Sequence, residues 1–281
     1  MHPQFRTCFL ATLLLLNGAA AAQPWNAVRI RWHRERIAPG LFWRYSHTFL
    51  EDSVPQNINI LVINPGKRKI SLVYNPGKNL PVSVMASPCG ALAAVNAGFF
   101  SIRDGGSLTY IMTGGKISDR DTASMWHRVE NMSGLLVIGN DGNPVILKER
   151  TNGWIDSCSA CRDALITGPL LLENGRIAVL PNTSLSVARH PRTAIGIRKD
   201  KRIILVTVDG RSDRSAGLTI PLLAGLMLSL KCVDAVNLDG GGSTTMWIRG
   251  KPFYGVVNIP CDNKKFDHSG ERPVADILMV K

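Results

Sequence analysis

The stretch from Arg192 to Ser243, RTAIGIRKDKRIILVTVDGRSDRSAGLTIPLLAGLMLSLKCVDAVNLDGGGS, decides the fold class. Thr193 to Ile197 and Ile203 to Val208 are short runs dominated by β-branched and aliphatic residues, which read as strands. Thr219 then offers a capping hydroxyl and Pro221 is tolerated in a first helical turn. Leu222 to Leu230 is apolar nearly all the way round, so a buried helix is expected near 219–231. Val233 to Leu238 returns to a strand that runs straight into Asp239 and three glycines. One buried helix among strands is an α+β pattern.

Working outward, the same signals recur. Val28, Ile30 and Trp32 alternate with Arg29, Arg31 and His33, as in a strand with one wet, basic face. Pro39-Gly40 marks a turn. Ile58 to Ile63 and Ile70 to Tyr74 flank Asn64-Pro65-Gly66-Lys67 and are expected to pair as a hairpin. Ala91 to Val95, Gly134 to Ile138 and Leu165 to Leu172 are further strand candidates. Asp141-Gly142 and Asn174-Gly175 sit between such runs, where positive φ and antiparallel pairing are expected. A hairpin around Arg249-Gly250-Lys251 and a last strand from Val274 to Val280 close the chain. Without a Pro/Ser-rich linker or charge block to divide it, the chain reads as a single strand-rich α+β domain over 23–281 with a mixed or antiparallel sheet.

Residues 1–22 stand apart. Arg6 leads into an apolar run from Cys8 to Leu16, followed by Ala19 to Ala22. That run is too short to span a bilayer and small residues sit where a signal peptidase needs them, so cleavage is expected after Ala22 and an exported, periplasmic or secreted location follows. No other stretch has the length and apolarity of a transmembrane helix. The chain carries 33 Lys and Arg against 21 Asp and Glu, a formal charge of +12. Loss of Arg6 with the leader leaves +11, a surplus that favours anionic partners such as phosphodiesters, nucleic acid or acidic envelope polymers without choosing among them. With 45% apolar residues the chain can bury a core, which excludes a disordered tail protein. Five cysteines remain after cleavage: Cys89, Cys158, Cys161, Cys232 and Cys261. Export makes a local Cys158–Cys161 disulfide the preferred reading, and Cys232 reads as a small buried hydrophobe.

Polar residues collect at strand ends in four places: Asn96-Ala97-Gly98-Phe99-Phe100, His190-Pro191-Arg192-Thr193, Asp209-Gly210-Arg211 and Asn237-Leu238-Asp239-Gly240-Gly241-Gly242-Ser243. Each alone has a structural explanation as a turn or a surface ion pair. Together, the glycines let backbone approach a ligand closely and the arginines offer two-pronged donors for phosphate. The run lacks the Lys-Ser/Thr ending of a P-loop and the GxGxxG spacing of dinucleotide folds.

In order and spacing, AVNAGFF (Ala94 to Phe100), GPLLLENG (Gly168 to Gly175), HPRTAIGI (His190 to Ile197), VTVDGR (Val206 to Arg211), GLTIPLLAGLM (Gly217 to Met227), AVNLDGGGSTTMW (Ala235 to Trp247) and ERPVADIL (Glu271 to Leu278) resemble the phosphodiester glycosidases. That family is typified by the enzyme that uncovers mannose 6-phosphate by removing N-acetylglucosamine. The resemblance runs from about Pro39 to the C-terminus and lacks the additional modules of the animal enzyme. It implies a polar site of Asn96, Arg192, Thr193, Asp209, Arg211, Asn237, Asp239, Gly240, Gly241 and Gly242, with Glu271 and Arg272 at its margin. Splitting a sugar from a phosphodiester at the anomeric carbon expels a phosphate monoester, a stable anion. The needs are then cationic donors for that phosphate and a carboxylate to activate water or attack the oxocarbenium-like carbon. On this reading Arg192 and Arg211 hold the phosphate with support from the glycine backbone, while Asp239 is the first choice for base or nucleophile and Asp209 the second.

The resemblance implies a phosphodiester-linked carbohydrate as partner, with no nucleic acid expected. His190 and His268, single histidines beside strands, stay outside the expected site. No cofactor is indicated: HExxH, HxH and paired CxxC spacings are missing, although calcium or magnesium sites built from carboxylates and carbonyls leave weak spacing signals. Two other classes stay open, the first of which would use the same arginines and the second only the basic surface, against which the paired strand-end aspartates speak. One is a phosphodiesterase attacking phosphorus in an anionic polymer; the other is a non-catalytic protein that binds acidic envelope glycans.

Overall fold

The computed structural model describes residues 30–50, 53–119, 131–148 and 161–281. The expected leader, its cleavage site after Ala22 and Cys158 lie outside the described residues. Along the chain come β1 (His33–Ala38), β2 (Leu41–Leu50), β3 (Val54–Ile63), β4 (Ile70–Tyr74), the short helix α1 (Val82–Ala86) and β5 (Ala93–Asn96). β6 (Ile111–Thr113), β7 (Lys116–Asp119), β8 (Gly134–Gly139), β9 (Pro144–Lys148), β10 (Cys161–Thr167), β11 (Leu170–Glu173) and β12 (Arg176–Ile177) follow. After a helical turn, α2 (Ser184–Val187), come β13 (Arg192–Arg198), β14 (Ile203–Val208), α3 (Ile220–Ser229), β15 (Cys232–Asn237), β16 (Met246–Ile248) and β17 (Asp276–Val280).

These strands form three sheets in which every ladder is antiparallel. The largest has the order β1-β2-β3-β14-β13-β15-β11-β12, beside a five-stranded sheet β7-β6-β10-β8-β9 and a four-stranded sheet β16-β5-β17-β4. Side chains alternate across the large sheet, as the two-residue period requires. Ile203 and Leu205 face the core shared with the two smaller sheets, whereas Ile204, Val206 and Val208 face a second core under α3. A strand buried on both faces must be apolar throughout, which is why IILVTV shows no alternation. α3 starts where expected, with Leu222 N–H donating to the Thr219 hydroxyl at 3.2 Å.

Four local expectations change. The Asn64 turn forms, with Lys67 N donating to Asn64 O at 3.0 Å, but β3 and β4 do not pair. Both edges of β3 are taken, by β2 and β14, so the turn lifts the chain into another sheet where β4 pairs with β17. The run Leu165 to Leu172 is two strands, divided at a cis Gly168–Pro169 bond, with β10 and β11 in different sheets. Ile30 to Trp32 precede β1, and Ile30 and Trp32 pack on the core under α3. Around Gly250 the chain turns as expected, but it returns through a single bridge between Trp247 and Val256.

Cys161 is disulfide-bonded. Cys232 is buried as a free thiol, its pKa pushed up to about 12 by burial, and Cys89 and Cys261 are also free. No helix among the described residues is long and apolar enough to cross a membrane.

Candidate active site

Antiparallel order brings the polar strand ends to one edge. Arg192 at the start of β13 pairs with Val208 at the end of β14, and Ala194 pairs with Asn237 at the end of β15. The four-stranded sheet meets the same edge through β5, since Thr193 Oγ1 donates to Asn96 Oδ1 at 2.8 Å. Asn96 is a buried hub: its Oδ1 also accepts from Thr245 N at 3.1 Å, and its Nδ2 donates to Asp239 O at 2.6 Å. The Asp239 main chain is therefore fixed from the neighbouring sheet, with Asp239 N donating to Ala97 O at 2.8 Å. The Asp239 side chain is half-buried, and its Oδ1 accepts from Gly240 N at 2.9 Å.

The glycine run turns through a 3-10 segment over Gly241–Ser243. Gly241 has φ +62°, a left-handed conformation that glycine adopts without strain, and a Cβ there would lie 3.0 Å from Arg211 Nη2. A Cβ on Gly242 would lie 2.5 Å from Arg272 Cζ and 2.6 Å from Asp262 Oδ1. Arg272 is held there by Asp262, with Nε at 2.8 Å and Nη2 at 2.5 Å from Oδ1. The missing side chains thus allow two guanidinium groups to close on one short piece of backbone beside Asp239. Gly240 N and Gly241 N are spent on Asp239 Oδ1 and Pro191 O, so the run does not offer three free N–H groups.

The Arg192 main chain lies against Gly240, but its side chain is spent on other groups. It is 2% exposed, and three of its N–H donors go to main-chain carbonyls: Nε to Leu218 O at 2.8 Å, Nη2 to Leu185 O at 2.6 Å and to Ala188 O at 3.0 Å. Burial, with the charge of Arg211 adding to it, pulls its pKa down to about 10. Asn237 is likewise buried, with Nδ2 donating to Gly168 O and Leu238 O, both at 2.7 Å. Glu271 caps the start of α1, its oxygens accepting from Ser83 N at 3.1 Å and Ser83 Oγ at 2.5 Å, and burial pushes its pKa up.

Two further carboxylates are buried at this edge. Asp209 accepts from Asn57 Nδ2, from Asn258 Nδ2 at 2.7 Å and from Ile259 N at 3.0 Å; burial nevertheless pushes its pKa up to about 7. Asp276, the first residue of β17, accepts from Gly98 N through Oδ1, while its Oδ2 is buried with no partner. Burial, together with the nearby charge of Asp239, raises its pKa to about 7. Asp276 lies inside ERPVADIL, and its signal in the sequence is an aspartate opening a strand among apolar residues. His268 Nδ1 lies 2.7 Å from Asn258 O and the ring stacks on Phe253 at 4.1 Å, while burial and the charges of Arg192 and Arg211 lower the His190 pKa. Among the described residues, no three of His, Cys, Asp or Glu converge as metal ligands would.

An antiparallel β-protein with a glycine run clamped between arginines and flanked by aspartates defines an anion-handling class of site. The chain belongs to the phosphodiester glycosidase family, a family of hydrolases, whose sequence profile matches residues 89–281. It is 49% identical over 92 residues to the SPbeta prophage-derived uncharacterized protein YomE of Bacillus subtilis (strain 168), an overlap covering 33% of this chain and 13% of that one. It is 26% identical over 190 residues to the N-acetylglucosamine-1-phosphodiester alpha-N-acetylglucosaminidase of Bos taurus, covering 65% of this chain. The chain thus spans 35% of the bovine protein's length. The fold matches the catalytic domain of the zebrafish N-acetylglucosamine-1-phosphodiester alpha-N-acetylglucosaminidase, auto-inhibited by its pro-peptide. The TM-score is 0.69 at 21% identity, over 92% of this chain and 91% of that one. A hypothetical protein from Synechocystis matches with a TM-score of 0.66 at 14% identity, over 89% of this chain and 63% of that one.

Proposed function

We propose that the protein is an exported hydrolase that cleaves a sugar from a sugar-1-phosphodiester at the anomeric carbon, in envelope or extracellular glycan metabolism. The observation that carries this reading is the placement of Arg211 and Arg272 on Gly241 and Gly242, next to the half-buried Asp239. Family membership supports the reaction class and the leader-like N-terminus supports export.

The phosphate is assigned to Arg211 and Arg272 rather than to Arg192, whose donors already serve carbonyls. In the reaction, the bond between the anomeric carbon and the phosphate oxygen breaks and its electron pair leaves with the phosphate monoester. The two guanidinium groups stabilise the charge that develops there. A water oxygen bonds to the anomeric carbon and its proton passes to the Asp239 carboxylate, or Asp239 attacks first and water releases the sugar in a second step. Asp209, held by three donors, fixes the loop that presents Arg211. Asp276 lies behind Asp239, its burial favouring the protonated form.

Incubation of the purified protein with a panel of sugar-1-phosphodiesters, including one with a chromogenic aryl leaving group, tests the reading. Release of free sugar from at least one member is expected. No release from any of them would overturn it in favour of a glycan-binding protein.

A further inference from the structure

A second cluster of cations lies at the other end of β13 and β14. On the face of the large sheet that carries the core under α3, Arg34 of β1 stands directly opposite Arg44 of β2, and Arg36 opposite Phe42. The Arg34 guanidinium stacks over the Phe42 ring at 4.3 Å. Arg34, Arg36 and Arg44, with Lys67 and Arg202, line a cavity of about 290 Å³ to which no acidic side chain among the described residues contributes. Like charges directly opposite each other on a ladder cost stability, and so does a buried donor without an acceptor. Both occur here, since Arg44 Nε and the nearby Arg198 Nε are buried without a partner. Burial and the charges of Arg34, Arg198 and Arg202 lower the Arg44 pKa, as expected where counter-charge is lacking. The acids next in sequence do not fill the cavity: Asp200 pairs with Arg202 at 3.5 Å outside it, and Glu35 pairs with Lys251.

We propose that this cavity is a binding site for a phosphate group of a phosphodiester-linked anionic polymer. Five cations, of which Arg202 is paired with a carboxylate, exceed the charge of a single small anion, and forked arginine donors match phosphate oxygens. β13 carries Arg192 at its first residue and Arg198 at its last, so the two ends of the sheet are roughly 20 Å apart at about 3.3 Å per residue. The cavity also lies across the sheet from β15, which is four strands from β2 at about 4.8 Å each, so a polymer covering both offsets, on the order of 20–30 Å, can place one phosphate here and another beside Asp239. That second placement rests on the function proposed above, while the binding does not.

Affinity for a fluorescent glycerol-phosphate oligomer long enough to span both ends tests the site directly. Arg36 and Arg202 are exposed, so Arg36→Ala combined with Arg202→Ala is expected to keep the native melting temperature. The double variant should bind the oligomer about tenfold or more weakly, with a shallower salt dependence, and should turn over a small aryl sugar phosphodiester at the native rate. Unchanged oligomer affinity in the variant, or no binding by the native protein, would overturn the proposal. Inorganic phosphate bound as tightly as the oligomer would overturn the polymer assignment. Oligomer binding without hydrolysis of any sugar phosphodiester upholds the site and overturns only the reading of the hydrolytic centre.

Discussion

Asp239 and Asp276 are close enough to influence each other, yet they sit in different surroundings. Asp239 faces the glycine run with its main chain fixed by Asn96 and Ala97, so Asp239→Asn should leave the fold intact. Turnover should fall by about 10²-fold or more, because an amide can be neither base nor nucleophile. A near-normal rate with a native melting curve would move the role to another carboxylate. Arg211→Lys should cost about tenfold or more in kcat/KM, since lysine keeps the charge and loses the fork. Asp276 predicts a pH effect on stability. Its pKa is about 7 in the folded protein against 3.8 ordinarily, so between those values the folded state binds more protons than the unfolded chain. Its contribution is therefore fully present below about pH 4 and is lost as pH rises through 7. Asp209 adds a slope of the same sign. Denaturant unfolding at pH 5 and pH 8 should show a smaller drop for Asp276→Asn than for the native protein, by on the order of 1 kcal/mol or more. An equal drop would mean that Asp276 is ionised throughout.

At the scale of elements, the glycine run works as a seat for side chains rather than as an open cradle of amides. Gly242→Ala would place a Cβ 2.5 Å from Arg272 Cζ and 2.6 Å from Asp262 Oδ1, so the ion pair must move. Steady-state kinetics should show KM for a phosphodiester substrate rising about tenfold, with a stability cost of about 1–3 kcal/mol. Unchanged KM would mean that Arg272 does not touch the substrate. Individual elements are legible in the sequence because their signals are local: the Thr219 cap, the Asn174-Gly175 turn at positive φ and the apolar run Ile203 to Val208 all appear as expected. Partnership between elements is not local. The Asn64 turn encodes a reversal, but whether β4 lies beside β3 depends on β14 occupying that edge, nearly 140 residues away in the chain.

Across the whole molecule, the site's loops are legible as four polar strand ends, and antiparallel order explains why they converge. Which side chain does which job is not legible, because type and spacing leave burial undefined. Arg192 and Arg211 look alike in sequence, yet one feeds carbonyls under α3 and the other rests on Gly241. Asp276 becomes noticeable only when β17 is laid beside β5 and its unpaired Oδ2 is found behind Asp239. The same limit hid the arginines around Arg44, which come from β1, β2 and the β13–β14 turn and meet only once the sheet is assembled. The central question at the site is which bond breaks. Hydrolysis of a sugar-1-phosphodiester in isotopically heavy water, with the sugar trapped before its anomeric hydroxyl exchanges, reads this directly by mass spectrometry. Attack at the anomeric carbon predicts heavy oxygen on the sugar and an unlabelled phosphate monoester. Label found mainly in the phosphate product would contradict the glycosidase mechanism and leave a phosphodiesterase on the same anion site.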